Sequence, residues 1–344
     1  MIRFIYYMCQ HSRLFRKAVF GALGVWRALR NGYRQPAPRS CVSVPVKRPH
    51  CMTLTDASVC GHGVVITADN RVLKTASPIL FPPDNWHCLN AAWRIPAAQR
   101  MDGRIVALSA NSEHGNYYHW MIDAFARLAV VPKFEQAKYL IEHDRKWQRE
   151  YLEIAGINPA DCIQPDNNIH LKPDYLIVPL MSENPCVITK EAIAFFRSLR
   201  DKVATPCAAW RKVYLTRGFG NSRSVQNEME LRQNLTSQGF EIVDMGALPC
   251  VADEMRIMYE AAIVMAPHGS AMTNIVFCRP GTKIIELCSP RYKNKSFEEI
   301  CTMADLNYVP VECQRVRKLN ILPIEDMIVA PHRLLTQNIE KTTP

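Results

Sequence analysis

The first 50 residues contain no aspartate and no glutamate, yet they carry ten lysines and arginines. The whole formal net charge of +10 therefore resides there, and the other 294 residues balance 32 basic against 32 acidic side chains. A nucleic-acid-binding fold spreads its basic groups over a folded face, so no nucleic-acid partner is expected. Also absent is any uninterrupted apolar run of the roughly 18 residues that a spanning helix requires. The 13 cysteines include no C-x-x-C pair, which removes the common zinc frameworks. A chain of 344 residues needs no disulfide staples, so the thiols read as reduced and mostly buried. Neither G-x-G-x-x-G nor a Walker sequence occurs, and both familiar phosphate-cradling loops are excluded with them.

What is present is a folded composition, 48% hydrophobic and 22% charged, in a chain long enough for two cores. Residues 1–50 form a basic segment and a proline-bearing linker. Within it Leu14 to Leu29 mixes Arg16, Lys17 and Arg27 with Phe15, Val19, Phe20, Leu23 and Trp26. Such a basic helix suits the headgroup region of an anionic membrane; a solvated leader or a helix packed on the body is the competing reading. The segment 1–35 is thus a candidate membrane contact, with the protein cytoplasmic and peripheral at the inner face. A domain over 51–205 follows, ending near Thr205-Pro206, and a second over 206–344. In the second, short apolar strands alternate regularly with helices, which predicts a parallel sheet covered on both faces. Ligands of such sheets bind beyond the carboxyl ends of the strands.

The informative residues fall there. Ala266-Pro267-His268-Gly269-Ser270-Ala271-Met272-Thr273-Asn274 follows a strand and opens an apolar helix. Gly269 permits a tight turn and a close approach, the helix start favours an anion, and Ser270, Thr273 and Asn274 add donors. Lys212–Arg217 ends another strand with an arginine, and Gly218, Gly220, Asn221, Ser222 and Arg223 follow. A pair of arginines in a glycine-bearing loop suits a diphosphate. In the first domain His119 and Asp123 lie four apart in a helical pattern and so share a face. A carboxylate beside an imidazole suits a general base. The same spacing would hold a metal if His114 supplied a further ligand.

Three blocks together resemble the family 61 glycosyltransferases: Tyr118-His119-Trp120-Met121-Ile122-Asp123 with Arg127-Leu128; Val213–Arg217 with Arg223 and Asn227-Glu228; and Met265–Asn274 with Phe277, Gly281-Thr282 and Ile285-Glu286-Leu287. The likeness spans roughly residues 100–290. It departs at Ser270, where the family has alanine, and at Asp253-Glu254, so no donor contact is carried to that position. The resemblance implies an α/β GT-B-like architecture, with two Rossmann-like domains facing a cleft behind the basic N-terminal extension. It implies inverting transfer of a sugar from a nucleotide donor, UDP-linked, to a glycan or lipid-linked glycan acceptor in surface polysaccharide biosynthesis, with no metal and no other cofactor. Asp123 is then the expected base, with His119 as alternative or orienting partner. The donor would contact Arg217, Asn221, Arg223, His268, the amides of Gly269, Ser270 and Ala271, the side chains of Thr273 and Asn274, and Glu286 through its ribose. A metal-dependent hydrolase built on His114, His119 and Asp123, and a non-catalytic membrane-associated scaffold, are the rival readings.

Overall fold

A computed structural model describes residues 35–38, 40–77, 94–110, 115–183, 187–217, 223–290, 292, 294–315 and 327–329. The basic helix expected over residues 14–29 lies outside them. No helix among the described residues is long and apolar enough to cross a membrane. The chain divides into two compact units, Met1–Arg149 with Ile157–Val187, and Glu150–Gly156 with Ile188–Pro344.

The first unit is built on a mixed nine-stranded sheet. Its strands are β1 (Cys41–Val42), β2 (His50–Leu54), β3 (Ser58–Cys60), β4 (Val64–Ile66), β5 (Val72–Leu73), β6 (Gln99–Ala107), β7 (Lys138–Leu140), β8 (Cys162–Ile163) and β9 (His170–Leu180). The spatial order is β8-β7-β6-β9-β3-β4-β5-β1, with β2 paired to the far end of β9. β3, β4 and β5 pair antiparallel in succession, β4 with β5 across the Asp69-Asn70 turn. The central strands β6 and β9 run parallel, and Ile105, Val106, Ala107, Leu176, Ile177 and Val178 are buried along them. Beyond β6 the stretch 117–130 is helical but not one helix. A single α turn (Tyr117–His119) widens into a π segment (Trp120–Ala124) and then tightens to 3₁₀ (Phe125–Val130). Phe125 N–H is shared between the carbonyls of Met121 and Trp120, which marks the widened turn.

The second unit carries α2 (Lys190–Arg200), α3 (Glu228–Ser237), α4 (Val251–Glu260) and α5 (Ser296–Met303), while α1 (Lys146–Ala155) contributes its last turns from residue 150 onward. The sheet is five-stranded: β10 (Arg211–Leu215), β11 (Phe240–Val243), β12 (Ala261–Pro267), β13 (Lys283–Cys288) and β14 (Asn307–Glu312). All neighbours are parallel, in the order β11-β10-β12-β13-β14. Val213–Leu215, Ile263–Ala266 and Ile284–Leu287 are buried runs, as strands covered on both faces require. Tyr214, Leu231, Leu235, Phe240, Met265 and Ile285 fill one core with Met327 and Val329.

The boundary expected at Thr205-Pro206 falls inside this unit. The reason is α2, which packs with the second sheet's helices. Phe196 meets Phe277 edge-on at 5.8 Å, and Arg200 Nη1 donates to Phe277 O at 3.1 Å. Residues 205–210 are an exposed connection leading into β10.

Candidate functional site

In the second sheet the strand order reverses between β10 and β12: from β10 the chain winds out to β11, then returns to the other side. The carboxyl ends of two such strands diverge into a crevice, the usual ligand position in open α/β sheets. The two loops singled out by sequence leave those two ends. Arg217 follows β10, His268 follows β12, and Arg217 Nη1 donates to His268 O at 3.2 Å. The loops therefore converge.

Two cations meet there. Burial first, and then the Arg223 charge, bring the Arg217 guanidinium down to about 10, against a smaller opposite effect of the Tyr292 hydroxyl. Arg223 occupies the left-handed region at φ 67°. Its guanidinium lies 4.5 Å from the Tyr292 ring centroid, and its buried Nε has no hydrogen-bond partner among the described residues. Two partly buried guanidiniums that repel each other form a ready anion site. Asn221 and the glycines at 218 and 220 lie outside the described residues.

Gly269 has a different task from the expected one. Its backbone is extended (φ 177°, ψ 167°), so no left-handed turn demands glycine. A Cβ here would overlap Arg217 Nη1. Glycine clears the space in which the guanidinium rests. The helix after it is 3₁₀ over Ser270–Phe277 rather than α, and Thr273, Ile275 and Val276 are stiff β-branched residues that lower α propensity. Ser270 and Ala271 keep some exposure at its start, whereas Met272–Phe277 are buried.

Three of the expected donor contacts are buried here. Asn274 is 1% exposed and donates to Ala271 O at 3.3 Å, with Tyr151 Oη reaching its Oδ1 at 3.5 Å. Thr273 is wholly buried, and its Oγ1 has no hydrogen-bond partner among the described residues. Both lie in the packing beneath the turn. Glu286, expected on a ribose, is 1% exposed and fully engaged. Its Oε1 accepts from His268 Nδ1, and its Oε2 accepts from Tyr308 Oη at 2.6 Å. Burial and the Glu286 bond push the Tyr308 hydroxyl upward, so it remains a donor. His268 is thereby held at Nδ1, and its ring packs on Tyr292 and Phe297 at 4.7 and 4.8 Å.

The segment joining β10 to α3 is braced from below. Glu228, 2% exposed, accepts from Tyr214 Oη at 3.1 Å and from Thr216 Oγ1 at 2.8 Å, and pairs with Arg232 at 3.2 Å. Asn227 makes a two-way bond with the Val329 backbone, donating at 2.8 Å and accepting at 3.0 Å. These residues fix both ends of the loop that carries Arg217 and Arg223.

In the first unit His119 Nδ1 donates to Asp123 Oδ2 at 2.7 Å. The side-chain exposures differ: 17% for His119 and none for Asp123. The carboxylate is sealed in, and the imidazole is the member of the pair that solvent reaches. Asn116 Oδ1 caps the turn by accepting from His119 N at 3.4 Å. Trp120 anchors it from inside, its indole donating to Glu142 O at 2.9 Å and stacking on Phe125 at 4.7 Å. Arg127 is buried and donates to the carbonyls of Ala76 and Ala107 at 3.2 and 3.4 Å, so it ties helix to sheet.

A family model described as Glycosyltransferase 61 matches residues 117–285. Residues 117–285 are those of a glycosyltransferase 61 domain. No curated protein matches it. The matched stretch runs from the capped turn before His119 to the strand that carries Glu286, and it includes both converging loops. For this transferase, a nucleotide-sugar donor and a glycan acceptor are the implied partners. Among the described residues no group of three or more His, Cys, Asp or Glu could hold a metal ion, and His114, the further ligand of the hydrolase reading, lies outside them.

Sequence reasoning missed Tyr292, Tyr308 and Tyr151. Tyr308 had a usable signal. On neighbouring parallel strands Glu286 lies opposite Pro310, which puts Tyr308 on the diagonal, within reach of a long side chain. Tyr151 bonds Glu254 at 3.2 Å, and nothing in its local pattern points to that partner.

Proposed function

We propose that this glycosyltransferase uses a UDP-linked sugar and inverts the anomeric carbon in one displacement. The second unit supplies the donor site and the first supplies the base, which is the division of labour of a GT-B enzyme. The observation that carries the reading is the convergence of Arg217 and the His268 turn at the reversal of strand order. In the reaction the acceptor hydroxyl loses its proton to the base and its oxygen bonds the anomeric carbon. The bond from that carbon to the diphosphate breaks, and the leaving oxygen keeps the electron pair. Arg217 and Arg223 receive that charge, as fixed donors at a developing anion. Ser270 and Ala271 lie at the start of the adjacent helix, where backbone N–H groups favour an anion.

For the base, the exposures favour His119 over Asp123. With Nδ1–H bonded to Asp123, His119 keeps its Nε2 lone pair for the proton. Asp123 then fixes the tautomer and steadies the imidazolium. This reverses the order in which sequence ranked the two.

The acceptor is a glycan or lipid-linked glycan of surface polysaccharide biosynthesis, and residues 1–35 hold the protein to the anionic inner face of the membrane. The test of the reaction is transfer or hydrolysis of a UDP-sugar followed by proton NMR of the anomeric signal. Product with the configuration opposite to the donor is expected. Retention of configuration would refute the single displacement. Activity confined to GDP-, TDP- or CMP-sugars would refute the choice of UDP.

A further inference from the structure

The amino edge of the second sheet, opposite the Arg217 edge, holds a cavity of about 440 Å³. It is lined by Trp210, Lys212, Ile263, Lys283 and Asn307, all at or just before the starts of β10, β12, β13 and β14. We propose that it is a binding site for an acidic segment of a glycan chain. The choice of a glycan over another anionic ring compound rests on the proposed transfer reaction; the chemistry of the site does not.

Trp210 is 60% exposed, an unusual position for the largest side chain, but it is not loose. Its backbone N–H donates to Glu260 O at 2.9 Å, which fixes the main chain beneath the side chain. The Arg211 guanidinium sits 4.7 Å from its ring centroid. Arg211 is itself clamped by Glu241 and Glu260, each at 2.6 Å. Two carboxylates on one guanidinium outweigh its charge, so the anion-attracting charge must come from the lysines, and the clamped group acts as a rigid rest for the indole. A flat, preorganised aromatic surface stacks on the C–H face of a pyranose at small entropic cost. Among the described residues Lys212 and Lys283 are the cations lining the cavity, and no acidic side chain lines it. Lys212 Nζ uses one donor on Gln238 O at 3.3 Å, and an ammonium has three. Asn307, fixed by its bond to Gly281 O at 2.9 Å, brings an amide suited to sugar hydroxyls. Ring platform, ammonium pair and amide together select a sugar bearing carboxylate, sulfate or phosphate. The volume lies within the range of about 300–1,000 Å³ typical of small-ligand sites.

The test uses the full chain in calorimetric titrations with tetragalacturonate, a heparin tetrasaccharide, neutral cellotetraose and UDP. At least one acidic oligosaccharide is expected to bind at millimolar concentration or below, and cellotetraose to bind more weakly. Trp210→Ala and Lys283→Gln should each weaken the acidic ligand roughly tenfold or more and leave UDP binding unchanged. Because Trp210 is exposed, its removal should not unfold the chain, and unchanged UDP binding checks this directly. The inference is overturned if neither acidic oligosaccharide binds, if cellotetraose binds equally well, or if both variants bind like wild type. Loss of UDP binding in wild type would instead count against the donor site and leave this one standing.

Discussion

Arg217 is held charged where charge is costly. Burial and the neighbouring Arg223 both work against its proton, which brings it to about 10. A diphosphate relieves both effects at once. Arg217→Gln should therefore abolish the thermal stabilisation given by UDP without lowering the melting temperature of the free protein. Turnover should fall about 100- to 1,000-fold, the usual cost of removing a preorganised donor to a developing anion; thermal denaturation and steady-state kinetics check the two halves. Gly269→Ala acts on the same group from the side. The new Cβ meets the end of a flexible arginine rather than backbone, so the fold tolerates it. A near-wild-type melting temperature with roughly tenfold weaker UDP binding is expected by calorimetry. In the first unit Asp123→Asn should lower kcat far more than KM, because an amide cannot hold the imidazole in its charged form. An equal loss on both parameters would make the pair merely structural.

At the scale of elements, the carboxyl edge works because buried hydrogen bonds lock it from behind. Glu286 receives both His268 and Tyr308. Tyr308→Phe would strip one partner from a buried carboxylate, at a cost of about 1–3 kcal/mol, readable as a lower midpoint in urea. The strands and helices around this edge were legible in sequence, since buried parallel strands read as apolar runs and their order places the loops. The converging residues Arg217 and His268 were legible too. Buried polar partners were not. Thr273, Asn274 and Glu286 carry the same side chains as ligand-binding residues, and only packing reveals that they face inward. The 3₁₀ helix after Gly269 and the π segment at Trp120–Ala124 escaped for a similar reason. Apolar spacing reports a buried face and does not report the pitch. The domain boundary was misplaced because Thr205-Pro206 looks like a linker, whereas α2 packs with the residues that follow it.

For the molecule as a whole, charge is the organising quantity. The body is neutral and the leader holds all the excess. Deleting residues 1–35 should release the protein from anionic vesicles in a sedimentation assay and leave UDP binding intact; continued co-sedimentation would refute the membrane role. The donor site follows its own pH dependence. The folded chain gives up the Arg217 proton at about 10, below the ordinary arginine value. As pH rises past that point the free protein gains stability, because the unfolded chain still binds the proton. The charge that attracts UDP is lost in the same window, so nucleotide affinity should fall just as free stability rises. Nucleotide affinity is also the most direct test of the central claim that the Arg217–His268 crevice binds a diphosphate. Isothermal titration of the full chain with UDP and with uridine, in wild type and in an Arg217→Gln/Arg223→Gln double variant, isolates that contribution. The account predicts that UDP binds wild type, that uridine binds much more weakly, and that the double variant no longer distinguishes the two. Equal UDP affinity in wild type and double variant would contradict it.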